Sequence, residues 1–72
     1  MNAKAAPTLS EEDLAEIWTG LLYWFDQDVE HAAEWMLKPH PVFGVRPCDS
    51  IKMGHGHRVL SFVRNTLVGA FQ

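Results

Sequence analysis

Apolar residues early in the chain recur at Leu14, Ile17, Trp18, Leu21, Leu22 and Phe25. That spacing is one face of an α-helix. Ser10 precedes the run, and Glu11, Glu12 and Asp13 follow it directly. A serine N-cap with acids in the first turn satisfies orphan amides and suits the helix dipole. The pattern predicts an amphipathic helix over about Glu11 to Phe25. Gly20 lies inside it, where glycine costs roughly 1 kcal/mol relative to alanine. A close helix–helix approach is the expected reason for that glycine.

Asp26 and Asp28 bracket a turn, and Asp28 can cap a second helix. Val29, Ala32, Ala33 and Met36 form its stripe, flanked by Trp35 and Leu37. Pro39 disfavours helical geometry at Lys38, so this helix is expected to stop near Leu37. The stretch from Lys38 to Pro47 holds Pro39, Pro41, Gly44 and Pro47, which predicts a stiff extended loop. Pro47 suits the first position of a short third helix, Cys48 to Met53, which Gly54 would end. Val59, Leu60, Phe62, Val63, Leu67, Ala70 and Phe71 then give a wide apolar face to a final helix starting near His55 to Arg58. Gly69 weakens its last turn. Strand signals are poor, because Val42-Phe43-Gly44-Val45 is short and close to prolines. The expected architecture is all-α: a small bundle of three longer helices plus one short helix, joined by a proline-stiffened loop. Residues 1–9 are expected to be a disordered tail and residues 10–72 one helical domain.

Composition sharpens this. The chain has 72 residues, of which 47% are hydrophobic, with three Trp, four Phe and one Tyr. A domain this small buries only roughly 60% of its unfolded surface, so so much aromatic material suggests an interface as well as a core. Tyr23 and Trp24 lie off the main stripe of the first helix and could serve such an interface or cap the core edge. Cys48 is the only cysteine, which excludes an internal disulfide. No apolar run reaches membrane-span length and no signal-peptide core is evident, so the expected location is the cytoplasm.

The formal net charge of −3 is unevenly spread. Up to Leu37 stand eight acids and one base, Lys4; from Lys38 onward stand five bases and one acid, Asp49. The positive half could meet an anionic partner or nucleotide pocket, although solvated faces with internal pairing are the simpler expectation. Arg58, Arg64 and Asn65 are the only cluster resembling a base-reading set, so DNA binding is not expected.

Candidate chemistry is thin. His31, His40, His55 and His57 match no common zinc spacing, and no metal or cofactor is expected. Cys48 lacks a recognisable nucleophile motif and reads as a small core residue. Gly54 and Gly56 lack the strand–loop–helix context of a phosphate loop. His57 and Arg58 stand at the start of the final helix, where cations are disfavoured, which hints at an outside contact. An enzyme is not expected.

Four short motifs carry a resemblance. They are Ala33-Glu34-Trp35-Met36, Pro39-His40-Pro41-Val42-Phe43-Gly44, Arg46-Pro47-Cys48-Asp49-Ser50-Ile51, and Gly54 before a helix holding Val59 and Val63. From about residue 17 to 69 the chain resembles the toxin-binding domain of Xre/MbcA/ParS-type bacterial antitoxins. That family's pattern reads Ala-x-x-Trp-Leu, Pro-Asn-Pro-x-Leu-Gly-Gly, and x-x-Pro-x-Asp-x-Leu. Here Met36 replaces Leu, His40 replaces Asn, Phe43 replaces Leu, and Val45 stands where a second glycine is usual. The resemblance implies an antitoxin that binds and neutralises a protein toxin, commonly of the RES type acting on NAD. Members typically carry an N-terminal helix-turn-helix domain, for which the residues before Ile17 leave no room, so operator binding is not expected.

These readings combine into one expectation. A non-enzymatic domain would occlude a toxin through the Lys38–Pro47 loop and the final helix. Phe43 would be the apolar anchor, and Arg46, Arg58 or Arg64 would match acidic or nucleotide-binding groups of the partner. Trp35, Pro39, Pro41, Gly44, Pro47 and Gly54 would be framework. The alternative is a self-associating structural or adaptor module, a homo-oligomer using the same helical domain.

Overall fold

A computed structural model describes residues 9–70, with side chains through residue 67. Of the tail assigned to residues 1–9, residues 1–8 lie outside what is described, as do the contributions expected of Ala70 and Phe71 to the last apolar face. The chain is all-α: α1 (Glu11–Trp24), α2 (Val29–Leu37), a single-turn α3 (Pro47–Ser50) and α4 (Gly56–Ala70). Among the described residues there is no strand.

The helix starts follow the capping chemistry. The Ser10 hydroxyl accepts from the Asp13 backbone N–H at 3.0 Å, and an Asp28 carboxylate oxygen accepts from the His31 backbone N–H at 3.1 Å. Each occupies the N-cap with extended backbone, satisfying an otherwise orphaned amide. Between α1 and α2 the chain turns through a Schellman motif. The Gln27 N–H reaches the Leu22 carbonyl at 2.6 Å and the Asp26 N–H reaches the Tyr23 carbonyl at 3.3 Å. The motif calls for a left-handed residue after the C-cap, usually glycine. Here Asp26 and Gln27 hold φ of +58° and +67° in succession.

Pro39 ends α2 as expected: Lys38, the residue before it, is extended at φ −103°, ψ 138°. Pro47 opens α3. The third helix, expected from Cys48 to Met53, is shorter. Regular winding stops at Ser50 and loosens through Ile51–His55, where Gly54 takes φ +88° and breaks the path before α4. Only glycine adopts that conformation without steric cost. Ser50, almost wholly buried, spans the break by donating its hydroxyl to the His55 carbonyl at 3.3 Å.

The core draws on the three longer helices: Ile17 and Leu21 from α1, Ala32 from α2, and Val59, Leu60 and Val63 from α4, with Leu9 and Phe43 added from irregular segments. Its closest joint is between α1 and α4. A Cβ built on Gly20 would stand 2.5 Å from Val63 Cγ1 and 3.0 Å from Leu67 Cδ1, so the glycine marks the close helix approach its position implies. Leu9 differs from expectation. Placed with the tail by its neighbours, it is only 7% exposed because its side chain fills the space left by the missing side chain of Gly56.

Two substitutions test these joints. Gly20→Ala gains helix propensity but drives a methyl into Val63, so it should destabilise the domain by about 1–3 kcal/mol and lower the thermal midpoint seen by circular dichroism. Gln27→Gly should do the reverse. It removes a left-handed strain of about 1–2 kcal/mol against a smaller entropic cost, raising the midpoint by several degrees.

Candidate functional site

The loop from Lys38 to Pro47 is closed by its own backbone. The His40 N–H donates to the Val45 carbonyl at 3.1 Å, while the Phe43 and Gly44 N–H groups both donate to the His40 carbonyl at 3.0 and 2.9 Å. Gly44, at φ +75°, lets the chain double back. His40 Nδ1 accepts from the Val42 N–H at 3.2 Å, the place an Asn side chain would fill in an Asx-type turn. That contact makes Nδ1 the unprotonated nitrogen of the neutral ring.

This closure aims Phe43 inward. It is 7% exposed and meets Trp35 edge-on at 6.2 Å, His40 at 5.2 Å and Phe62 edge-on at 5.6 Å. His40 also contacts Trp35 at 5.6 Å and Phe62 at 5.1 Å, and Trp35 stacks on Phe62 at 6.1 Å. Trp24 extends the cluster to Phe25, Trp35 and Phe62. Phe43, expected as a docking anchor, therefore packs into the domain's own core. Trp35 packs in this ring cluster, Pro47 opens α3, and Gly44 and Gly54 take positive φ.

The three arginines expected to face a partner each hold an intramolecular partner. Arg46 makes a two-pronged pair with Asp49, Nε to Oδ2 at 2.7 Å and an Nη to Oδ1 at 3.1 Å. Arg64 does the same with Glu16 at 2.5 and 2.7 Å, tying α4 to α1. Arg58 donates to the Val42 carbonyl at 3.1 Å and pins the loop to α4, so the cation at this helix start is answered from within the chain. Asp49 and Glu16 were not singled out by sequence reasoning. An Arg-x-x-Asp spacing could have suggested the first pair; a partner 48 residues away could not have suggested the second.

Hydrogen bonds shift the carboxylates involved. The Arg64 guanidinium holds Glu16 below the usual carboxylate range, the His31 backbone N–H does so for Asp28, and Arg46 does so for Asp49. In each case the folded value lies below the unfolded one.

Sites for chemistry are sparse. Among the described residues no group of three or more His, Cys, Asp or Glu could hold a metal ion. The half-buried Cys48 thiol has Asp49 Oδ1 as its hydrogen-bonding partner at 4.0 Å, and Arg46 already holds that carboxylate. A shallow cleft of about 200 Å³ lies between Phe25, the α2 residues His31, Glu34 and Trp35, and Lys38 just past the helix end. That is below the roughly 300–1,000 Å³ of small-molecule sites.

Apolar surface is more prominent. Leu14 and Trp18 are each 37% exposed on α1, and Val29 and Leu37 are 61% and 55% exposed on α2. Leu14, Trp18 and Leu22 repeat every fourth residue on α1, and Val29, Ala33 and Leu37 do so on α2. At 100° per residue Leu14 and Trp18 point away from Glu16 and Gly20, the positions that meet α4, whereas Leu22 on the same line is half-buried and packs against the core. No helix among the described residues is long and apolar enough to cross a membrane. No family model, curated protein or solved structure matches the chain.

The carboxylate shifts fix the acid response. A carboxyl with a depressed folded pKa supports folding at neutral pH and loses that support as pH falls from its unfolded value through its folded one. Urea midpoints should therefore hold between pH 7 and 5 and fall below about pH 4. Glu16→Gln should narrow the difference between the midpoints at pH 7 and pH 3.

Proposed function

We propose that this chain is a non-catalytic protein-binding module that neutralises a partner toxin by covering it, in the manner of the Xre/MbcA/ParS-type antitoxins its motifs resemble. One observation carries the reading: large apolar side chains stand in helical stripes on the outside of α1 and α2, with Leu14, Trp18, Val29 and Leu37 between 37% and 61% exposed. Ordinary small domains scatter such residues singly, and stripes of them mark interaction surfaces. Tryptophan in particular is enriched among the residues that dominate binding energy.

The mode of action is steric. With Phe43 in the core and Arg46, Arg58 and Arg64 engaged within the domain, the docking surface shifts from the loop and α4 to α1 and α2. The loop and α4 then serve as the scaffold that fixes these two helices. A toxin of the RES type, acting on NAD, is the partner the motifs imply, and occlusion by α1 and α2 needs no chemistry from this chain. Self-association through the same stripes is opposed by like charge, since Glu11, Glu12, Glu30 and Glu34 would face their own copies.

Co-expression with a RES-type toxin should restore growth and yield a stable complex, and Leu14→Ser with Trp18→Ser should abolish both. A toxin that neither binds nor is silenced overturns the assignment.

A further inference from the structure

With Asp26 and Gln27 at positive φ, the turn after α1 sets the Phe25 ring on that of His31, at 6.0 Å and 27°. His31, Glu34, Trp35 and Lys38 then follow one another at i, i+3, i+4 and i+7, the spacing of a single line along a helix. Phe25 and these four line the cleft of about 200 Å³. Its lining combines the rings of Phe25 and Trp35 with an imidazole, a carboxylate and an ammonium.

Those three polar groups are not spent on the fold. His31 Nδ1 stands 2.8 Å from Asp28 Oδ2. The His31 backbone N–H holds the Asp28 carboxyl below the usual carboxylate range, so it is ionised and can only accept. Nδ1 therefore carries the proton, and Nε2 of the neutral ring is an acceptor. Nε2 has no hydrogen-bond partner among the described residues, and neither the Glu34 carboxylate nor the Lys38 ammonium has one. The cleft thus offers two acceptors and one donor, with charges of opposite sign.

That set selects its guest. An aromatic ring suits Phe25 and Trp35. A hydroxyl both donates and accepts, so it can serve Nε2 while receiving a hydrogen bond from Lys38. A phenylalanine ring can do neither, and an indole N–H only donates. Arginine and lysine only donate, and Lys38 repels them. The volume is that of a site for one side chain, below the range of small-molecule pockets. Resting on the protein-binding reading above, we infer that this cleft receives a single tyrosine side chain of the partner protein. Its ring lies against Phe25 and Trp35, and its hydroxyl bridges His31 Nε2 and the Lys38 ammonium. Val29 and Leu37, exposed at the two ends of α2, carry the docking surface on from the cleft.

The probes are p-cresol, toluene and skatole, which reproduce the side chains of tyrosine, phenylalanine and tryptophan. Added to the full chain labelled with ¹⁵N, p-cresol should give saturable shifts at the His31, Trp35 and Lys38 amides and at the Trp35 indole N–H. It should bind about fivefold more tightly than toluene, the worth of one hydrogen bond, and more tightly than skatole. His31→Phe keeps a ring beside Phe25 and removes the acceptor, so it should bring p-cresol down to the toluene value while toluene itself is unchanged. Lys38→Met, beyond the end of α2, should narrow the same preference. Equal affinity for p-cresol and toluene, a preference that survives His31→Phe, or tighter binding of skatole overturns the inference. So do shifts lying outside the cleft, or no saturable shift with any probe. Failure here is distinguishable from failure of the toxin assignment, which growth and complex formation test through Leu14 and Trp18 on α1.

Discussion

Trp35, His40, Phe43 and Phe62 come from α2, the proline loop and α4, and each of the four rings contacts the other three at 5.1–6.2 Å. Nothing else described joins those three parts so densely. The loop has no helix of its own to bury; the His40 and Val45 carbonyls bond within it, and the Val42 carbonyl is held from α4 by Arg58. Stacked and edge-on ring pairs add about 0.5–1.5 kcal/mol each beyond the area they bury. The rings are how α2 reaches α4: Trp35 stacks on Phe62, and His40 and Phe43 wedge against both. The Pro39 to Gly44 turn thereby acquires a physical meaning: it is the device that swings Phe43 inward.

The second joint, between α1 and α4, works differently. Gly20 brings the two backbones close, Val63 and Leu67 fill the gap, and Glu16 with Arg64 locks the rim. Of the arginines, only Arg64 serves this joint, while Arg58 holds the Val42 carbonyl and Arg46 pairs with Asp49.

Helix boundaries were legible because their chemistry is local. Ser10 and Asp28 cap by reaching three residues ahead, Pro39 acts on Lys38, and Gly54 on its own φ. The close approach at Gly20 was legible because a helix-interior glycine needs a reason. The fate of Phe43 was not, since a large apolar residue in a proline loop fits a buried plug and an exposed anchor equally well. Only the hydrogen bonds around His40 and Gly44 decide between them. Arg64 and Glu16 stand on opposite sides of the charge asymmetry, and summing charge by chain half concealed that each answers the other. Leu9 was hidden for a similar reason: its cavity is made by Gly56, far along the chain.

The pairing of the first long helix with the last also sets an order of events. During synthesis α1 emerges ahead of α4, so Ile17, Leu21 and Gly20 have no surface to close on at first. The nascent chain carries that apolar face uncovered until Val59 and Val63 have emerged in turn. For that interval both sides of α1 are unclothed, the one destined for the core and the one bearing Leu14 and Trp18. A partner or chaperone able to sit on the outer side early would shield a chain that cannot yet shield itself.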